Sequence, residues 1–209
     1  MSIKALEWRY AVKKFDENKT ISEAKIAILK KSFNLTATSY GLQPIRLVVV
    51  KNKPVQEKLR EYSMNQPQLD SASHVLILCI EKNINKEFIA NYFERVKKIR
   101  ETPDEILDPF KNFLMKDFEK KSDEEIRNWA KNQAYLALGN LLTVCAVESI
   151  DACPMEGFVP EKVDALLELD KLNLESVLVL PVGIRAKDDI FSEFKKVRRS
   201  EEDSIISIY

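Results

Sequence analysis

SDEEIRNWAKNQAYLALGNLLTVCAVESI, residues 122–150, is a long stretch with helical spacing and a defined start. Ser122 and Glu125 are three residues apart, as in a capping box, where each side chain accepts a hydrogen bond from the other residue's backbone N–H. The pattern predicts a helix from about 123 to 149. Because long helices in proteins are stabilised mainly by packing, we expect the other segments to cover much of it.

The second half of this helix is apolar on nearly all sides. A helix of that kind must be buried on all sides, either in the core of its own domain or against a second subunit. Ala134, Ala137 and Gly139 would allow another helix to approach closely. We therefore expect the helix to lie at the interface of a homodimer.

Two β-branched stretches predict buried strands. RLVVV at 46–50 follows Pro44, and VLILCI at 75–80 follows the single histidine, His74, for which we expect a structural role. VQEKLREYS between them predicts a short helix, and a strand–helix–strand unit favours a parallel or mixed sheet. SVLVLPVGI at 176–184 predicts a further strand.

Helical patterns cover much of the remaining chain. Ser22 is a predicted N-cap, the phenylalanine-rich segment at about 83–121 predicts a helical excursion over the core, and 160–169 predicts a short helix. The alternating tail SIISIY, 204–209, predicts a strand that adds to a partner's sheet edge. The sequence thus predicts a single α+β domain over 1–209, with helices flanking a central mixed β-sheet.

Composition and charge limit the class of function. Lys plus Arg and Asp plus Glu are equal at 33 each, which gives no support for nucleic-acid binding. MSIKALEWRY does not resemble a signal peptide, and the apolar stretch 134–147 is too short and too interrupted to cross a bilayer. We expect a cytoplasmic protein with reduced cysteines that binds neither nucleic acid nor membrane.

The chemistry-bearing residues are few. One histidine and three dispersed cysteines lack the spacing of a metal site, so no metal is expected, and a histidine triad lacks partners. The four glycines form neither G-x-G-x-x-G nor a phosphate loop. A bound phosphate would have to be held by side chains, for which Arg9, Lys13, Lys196 and Arg198 are candidates. We therefore expect a cofactor to carry the chemistry.

Five short motifs resemble the landmarks of the nitroreductase family of flavoenzymes, in the family's order. They are RYAVKKFD at 9–16, TSYGLQP at 38–44, MNQPQLDSASHVLIL at 64–78, PMEGF at 154–158 and KKVR at 195–198. Each motif is only a handful of residues and is weak alone. The ordered set spans nearly the whole chain and is specific.

The resemblance implies a homodimer that binds FMN in clefts at the subunit interface. It also implies a ping-pong oxidoreductase, in which hydride passes from NAD(P)H through flavin N5 to a nitroaromatic, a quinone or a related small-molecule electron acceptor. The residues that the resemblance assigns to the FMN site are Arg9, Tyr10, Ala11, Lys13, Thr38, Ser39, Gly41, Gln43, Asn65, Gln68, Pro154, Met155, Glu156, Gly157, Lys196 and Arg198.

Within this set, the resemblance assigns catalytic roles to Lys13, Glu156 and Gly157. The amides of Glu156 and Gly157 would donate to N5, and Lys13 would stabilise negative charge near N1 and O2. The segment 38–43 would reach the flavin from the other subunit. An aromatic side chain of the excursion is expected over the flavin, and the candidates are Phe110, Phe113 and Phe118.

Some positions depart from the family pattern. Ala11 lacks the usual hydroxyl, Gly41 replaces an asparagine, Ile45 replaces an aromatic residue and Gln68 replaces a lysine. These departures leave open a flavin-binding or carrier protein of the same fold without efficient turnover. A flavin-consuming or dehalogenating relative is a third alternative.

Overall fold

A four-stranded sheet lies at the centre of the computed structural model, which describes residues 2–209. Its strand order is β1-β2-β4-β3, and every strand pair is antiparallel. The central strands β2 and β4 are almost entirely buried, which explains their continuous apolar sequences. The strands are β1 (Ile45–Val50), β2 (His74–Glu81), β3 (Asp151–Ala152) and β4 (Leu174–Gly183).

Helices surround this sheet, and the predicted α+β class is confirmed. Within residues 2–209 the α-helices are α1 (Ser2–Trp8), α2 (Glu23–Asn34), α3 (Lys53–Glu61), α4 (Gln68–Ser71), α5 (Lys86–Arg100), α6 (Asp104–Glu119), α7 (Asp123–Val147), α8 (Pro160–Leu166) and α9 (Glu201–Ser204). Short 3-10 turns occur at Ser39–Gly41, Leu169–Leu172 and Ile190–Glu193. Helices α5 and α6 form the predicted excursion. None of these helices is long and apolar enough to cross a membrane.

The direction of β1 and β2 differs from the prediction of a parallel or mixed sheet. The two strands run antiparallel, with Val50 at the end of β1 opposite Val75 near the start of β2. The connection through α3 and α4 folds back on itself, because these two helices pack together. It therefore returns to the sheet end that it left, whereas a parallel pair needs a connection to the opposite end. A parallel bridge joins Ala11, which lies outside the named strands, to Ala152 of β3.

Two predicted helix starts are confirmed. At α7, the Glu125 amide donates to Ser122 Oγ at 3.3 Å, and the Ser122 amide donates to Glu125 Oε2 at 2.7 Å. At α2, the Lys25 amide donates to Ser22 Oγ at 3.4 Å. These local signals fix the helix starts without help from distant parts of the chain.

One face of α7 is covered by its own chain and another is not. The sequence predicted that Ala134 and Ala137 would lie at a subunit interface. Both are instead fully buried in the main core, so they pack within the chain. A Cβ built on Gly139 meets no atom within 4 Å, and Leu136 and Val147 are exposed. The face that contains these three residues is the one available to a second subunit.

The C-terminal tail forms no strand within the chain. Residues 190–209 are exposed throughout, and Ile206 and Ile208 are 91% and 94% exposed. Such apolar residues are normally covered, so the tail has the character of a segment that packs on another surface.

Candidate functional site

The segment after α1 runs beside the end of the sheet and brings its charged residues to the PMEGF motif. Ala11 bridges Ala152, and the Val12 amide donates to the Ala152 carbonyl at 3.3 Å. Further on, the Ala186 amide donates to the Lys14 carbonyl at 2.9 Å. The start of the chain is thus fixed against the residues that precede Pro154 and those that follow β4.

A buried carboxylate, Asp189, anchors this segment. Its Oδ2 accepts from the Tyr10 hydroxyl at 2.9 Å and from the Lys13 amide at 3.0 Å. Burial and the Asp189 hydrogen bond raise the pKa of Tyr10 well above its usual range, so its hydroxyl remains a donor. Asp189 therefore fixes the backbone of Tyr10 to Lys13 at the point where the C-terminal segment begins.

Arg185 clamps the residues on either side of Arg9. Its guanidinium carbon lies 4.3 Å from the ring centre of Trp8 and 4.5 Å from that of Tyr10. Its Nε also donates to the buried carboxylate of Asp151 at 2.7 Å. The paired charge and the two ring faces hold Arg185 in place, and Arg185 in turn holds the chain around Arg9.

Positive charges from the two ends of the chain lie near one another. Burial, and then the charge of Arg198, lower the pKa of Arg9. Burial, and then the charges of Arg9 and Arg198, lower the pKa of Lys196. Neighbouring cations of this kind, two of them on an exposed segment, are candidates to bind an anion such as a phosphate.

The thiol of Cys153 lies between two predicted site residues. Lys13 Nζ and Gln68 Nε2 are 3.8 and 3.9 Å from Cys153 Sγ. Burial raises the pKa of Cys153, opposed by Lys13, and burial raises the pKa of Cys79 and Cys145 to about 12. The thiols are therefore neutral and not suited to act as nucleophiles.

The PMEGF turn leaves two adjacent amides free. The Met155 amide donates to the Val179 carbonyl at 2.8 Å, and the Phe158 amide donates to the Glu156 carbonyl at 2.9 Å. Within residues 2–209, the amides of Glu156 and Gly157 donate to no other protein group. Both residues are accessible to solvent, so the turn offers a pair of N–H donors to a bound molecule.

Asn65 lies in a loop against this turn. The neighbouring Gln66 side chain donates from Nε2 to the Gly157 carbonyl at 3.2 Å. A Cβ built on Gly157 would lie 3.2 Å from Gln66 Nε2 and 3.4 Å from Met64 Sδ. The glycine thus allows this close approach, and a larger residue would require the ends of the Gln66 and Met64 side chains to shift by a few tenths of an ångström.

The turn also borders α7. The Tyr135 hydroxyl donates to Glu156 Oε1 at 2.7 Å, and this hydrogen bond raises the pKa of Tyr135. A groove of about 400 Å³ adjoins Glu156, and its apolar lining residues are Leu138, Leu142, Pro154, Met155 and Leu178. An apolar, planar group could lie in this groove next to the two free amides.

The segment 38–43 forms a separate turn. The Gln43 amide donates to Thr38 Oγ1 at 3.1 Å, and Gln43 Nε2 donates to the Asn34 carbonyl at 2.9 Å. Within residues 2–209 this segment makes no hydrogen bond to residues 9–13 or 153–157. A single chain therefore does not bring it to the other predicted site residues.

Its position is fixed by α7 and α5. The Ser39 amide donates to Gln133 Oε1 on α7 at 2.8 Å. Gly41 has a φ of 71°, and a Cβ built there would lie 2.6 Å from the hydroxyl oxygen of Tyr92 on α5. Only glycine fits this position without displacing Tyr92.

The aromatic residues of the excursion divide into core and surface. Phe118 is 5% exposed and packs edge-on to Trp129, whereas Phe110 and Phe113 are 44% and 56% exposed and stack at 6.3 Å. Tyr40, beside Gly41, stacks on Trp129 with centroids 6.4 Å apart. Phe118 is a core residue, and the exposed aromatic surface consists of Phe110 and Phe113.

Comparison with known proteins decides the family. Residues 6–184 match the model of the Nitroreductase family. The chain belongs to the nitroreductase family. A Staphylococcus haemolyticus protein named "putative NAD(P)H nitroreductase" is 33% identical over 211 residues, covering 97% of this chain and 95% of its own. Bacillus subtilis YfkO, which carries the same name, is 32% identical over 198 residues, covering 88% of each chain. Such relatives support an oxidoreductase.

Solved structures confirm the nitroreductase-like fold. YdfN of Bacillus subtilis has a TM-score of 0.87 at 21% identity, covering 99% of this chain and 98% of its own. A nitroreductase of Exiguobacterium sibiricum, solved in complex with FMN, has a TM-score of 0.85 at 18% identity, covering 100% and 97%. At these identities the similarity concerns the fold.

In this member of the nitroreductase family, contacts connect three of the motifs, at 9–13, 65–68 and 153–157. Lys196 and Arg198 lie near enough to Arg9 for their charges to repel, and the segment 38–43 makes no hydrogen bond to residues 9–13 or 153–157. The sequence did not single out Asp189, Arg185 or Gln66 as site residues. Gln66 lies inside the quoted motif at 64–78, but only its neighbours Asn65 and Gln68 were assigned to the site. Asp189 and Arg185 lie outside the five motifs, and their partners are distant in the chain.

Proposed function

We propose that this chain is an FMN-dependent oxidoreductase that takes hydride from NAD(P)H and delivers it to a conjugated small molecule such as a nitroaromatic or a quinone. When bound, FMN supplies the two-electron chemistry at N5. The observation that carries the proposal is the pair of free amides at Glu156 and Gly157, beside an apolar groove that Glu156 itself lines.

The residues present fit this cofactor. Arg9, Lys196 and Arg198 would hold the phosphate, since their mutual repulsion is relieved by an anion. The ring system would lie along the groove that contains Pro154 and Met155. Gln68, in place of a lysine, contacts Cys153 and would offer a neutral amide to the ring.

The protein's own contribution to the reaction would be electrostatic. The amides of Glu156 and Gly157 would donate to the position where hydride arrives and leaves. Lys13 lies beside a neutral thiol, so its positive charge is available to stabilise negative charge that develops on the ring. No general acid from the chain is needed for hydride transfer itself.

We infer a homodimer in which each cleft uses both chains. The exposed α7 face with Leu136, Gly139 and Val147 would form the central contact. The segment 38–43, which a single chain leaves apart from the other motifs, would enter the partner's cleft. Phe110 and Phe113 would accompany it as an aromatic wall for planar acceptors.

The tail would complete this dimer. β1 is an edge strand with unpaired backbone groups, and a groove of about 560 Å³ adjoins it. Its lining includes Phe33, Arg46, Leu47, Val49, Phe88 and Arg95. The exposed apolar tail of one copy, with Ile206 and Ile208, would pair along β1 of the other. The three free, buried cysteines support the cytoplasm as its compartment.

The first test is the absorption spectrum of the purified, dialysed protein, followed by anaerobic addition of NADH and then NADPH. Flavin bands that bleach, with turnover of menadione or a nitrofuran, are the expected result. Bound flavin without turnover would instead favour a flavin carrier, for which Ala11, Gly41 and Gln68 are the supporting departures. A protein that stays colourless after addition of FMN would contradict both functions.

A further inference from the structure

We propose that Gln66 is a positioning residue, which holds the free amides of Glu156 and Gly157 in the orientation that the reaction uses. The proposal rests on the function proposed above. Gln66 Nε2 donates to the Gly157 carbonyl at 3.2 Å, across 91 residues of sequence. The Gln66 side chain contacts the Gly157 carbonyl and not the amides of Glu156 and Gly157, so it need not touch the reacting atoms.

Contacts hold the backbone of the turn on both sides of the free amides, in addition to the Tyr135 hydrogen bond to the Glu156 side chain. On one side, Met155 exchanges two hydrogen bonds with Val179 of β4, at 2.8 and 3.0 Å. On the other side, Gln66 holds the Gly157 carbonyl. The Phe158 amide closes the turn by donating to the Glu156 carbonyl at 2.9 Å. Without Gln66, the peptide group between Gly157 and Phe158 would keep only this short-range hydrogen bond. The chain beyond it is held by the buried Phe158 side chain and by the Val159 amide, which donates to the Tyr62 carbonyl at 2.9 Å.

The loop that carries Gln66 is itself firmly held. The Asn65 amide donates to the Arg60 carbonyl at 3.1 Å, and Arg60 Nε donates to the Asn65 carbonyl at 3.3 Å. Arg60 Nη1 also donates to Asp70 Oδ2 of α4 at 2.6 Å, and the Gln66 amide donates to the Ser63 carbonyl at 3.1 Å. Gln66 therefore projects from a fixed platform built on α3 and α4.

The backbone of the loop is in an unfavourable conformation. Met64 and Asn65 have φ values of 55° and 54°, in the left-handed region, which is unfavourable for methionine and more readily adopted by asparagine. Two such residues in succession persist only where the surroundings determine the conformation. Here the strained bend brings Met64 and Gln66 against Gly157, whose missing Cβ makes room for them.

Fixed donors stabilise developing charge without the free-energy cost of reorienting them. If Gln66 provides that fixation, its loss should slow hydride transfer while the fold and the phosphate contacts persist. Gln66→Glu keeps the shape but replaces the donor by a carboxylate, and Gln66→Met keeps the length without polarity. Met64→Leu is the matched control, because it retains packing on Gly157 and leaves the hydrogen bond intact.

The experiment measures each protein with and without FMN. In the apoprotein, we expect the Phe158 amide of both Gln66 variants to exchange with solvent about fivefold faster, as the loss of one hydrogen bond implies. In the FMN-loaded protein, we expect three- to tenfold slower flavin reduction, roughly the effect of about 1 kcal/mol on the barrier. The flavin midpoint potential should shift in both variants, the FMN Kd and thermal midpoint should stay near wild type, and Met64→Leu should match wild type throughout.

The outcomes separate this inference from the function on which it rests. Wild-type exchange and reduction rates in both Gln66 variants would overturn the role of Gln66 while leaving the oxidoreductase intact. A slower rate that only accompanies a lower unfolding midpoint would also overturn it, since Gln66 would then be merely structural. If wild type neither binds nor reduces FMN, the proposed function fails, and unchanged exchange of Phe158 in the apoprotein would still overturn the positioning role.

Discussion

The PMEGF turn and the C-terminal segment both contribute to the candidate site, but the chain holds them in different ways. The turn at 154–158 is tied to β4, to α7 and to the loop after α3 by hydrogen bonds within one chain. Residues 190–209, which carry Lys196 and Arg198, are exposed along their whole length. The donors at the turn are thus set when a single chain folds, whereas Lys196 and Arg198 lie on a segment that their own chain leaves exposed.

Removing residues 195–209 should abolish the contribution of the C-terminal segment and leave the PMEGF turn intact. We expect FMN to bind more than about 100-fold more weakly, since hydrogen bonds to charged groups contribute about 1.5–3 kcal/mol each. The dimer should also dissociate. Titration with FMN and analytical sedimentation measure both effects. The double variant Ile206→Ser, Ile208→Ser keeps Lys196 and Arg198, so it should weaken the dimer more than it weakens FMN binding. Wild-type affinity for FMN in the truncated protein would contradict the proposed role of the C-terminal segment.

Alanine substitutions of Phe118 and Phe113, both in α6, should have different effects, the first on stability and the second on KM. Phe118→Ala should lower the free energy of unfolding by about 3–5 kcal/mol, as expected for a buried phenylalanine. Phe113→Ala should leave stability nearly unchanged and raise KM for an aromatic acceptor about fivefold, in keeping with the energy of an aromatic pair. Urea unfolding measures the stability of both variants, and steady-state kinetics measure their KM for the acceptor. Equal loss of stability in both variants would place Phe113 in the core.

Lys13 and Lys14 provide a matched pair beside the turn. Lys13→Ala should slow flavin reduction about 10- to 100-fold, the range for losing a charge-assisted hydrogen bond, with little change in stability. Lys14→Ala should resemble wild type, because Lys14 is exposed and pairs with the exposed Asp188. Stopped-flow reduction compares them. Equal rates for Lys13→Ala and wild type would remove the assigned role.

The smallest expected effect is the change in stability with pH that His74 causes. His74 is buried at the start of β2, within a single chain. Burial lowers its pKa, so the unfolded chain binds the proton more readily. The stability that His74 contributes is present above the usual pKa of about 6.5 and is lost as pH falls through the lower, folded value. Urea midpoints from about pH 7.5 to 5.5 should therefore decrease slightly on acidification. His74→Gln should reduce the dependence of the urea midpoint on pH. If the dependence is unchanged in this variant, another titrating group causes it.

The sequence predicts the fold where the signal is local. The Ser122–Glu125 capping box fixes the start of α7, and the apolar stretches at 46–50 and 75–80 became β1 and β2. The sheet direction could not be predicted from these stretches. It depends on α4 packing back on α3, and no pattern within the strands records that contact.

The site follows the same rule. The motif residues could be found because they are contiguous in the sequence, and contacts in the structure connect three of the five motifs. The roles of Asp189, Gln66 and Arg185 could not be found, although Gln66 lies within a motif, because each acts on a partner 176, 91 or 34 residues away. Their side chains acquire a role only through tertiary contacts.

The two tryptophans give each region its own optical reporter. Trp8 is partly exposed and stacks on the Arg185 guanidinium beside the anion-binding cations, whereas Trp129 is packed between Tyr40 and Phe118 near the segment 38–43. Their fluorescence should differ in wavelength, because one indole is wetter than the other. The Trp129→Phe protein keeps Trp8 and reports on the surroundings of Arg185, whereas the Trp8→Phe protein keeps Trp129 and reports on the segment 38–43, so the two regions can be followed separately.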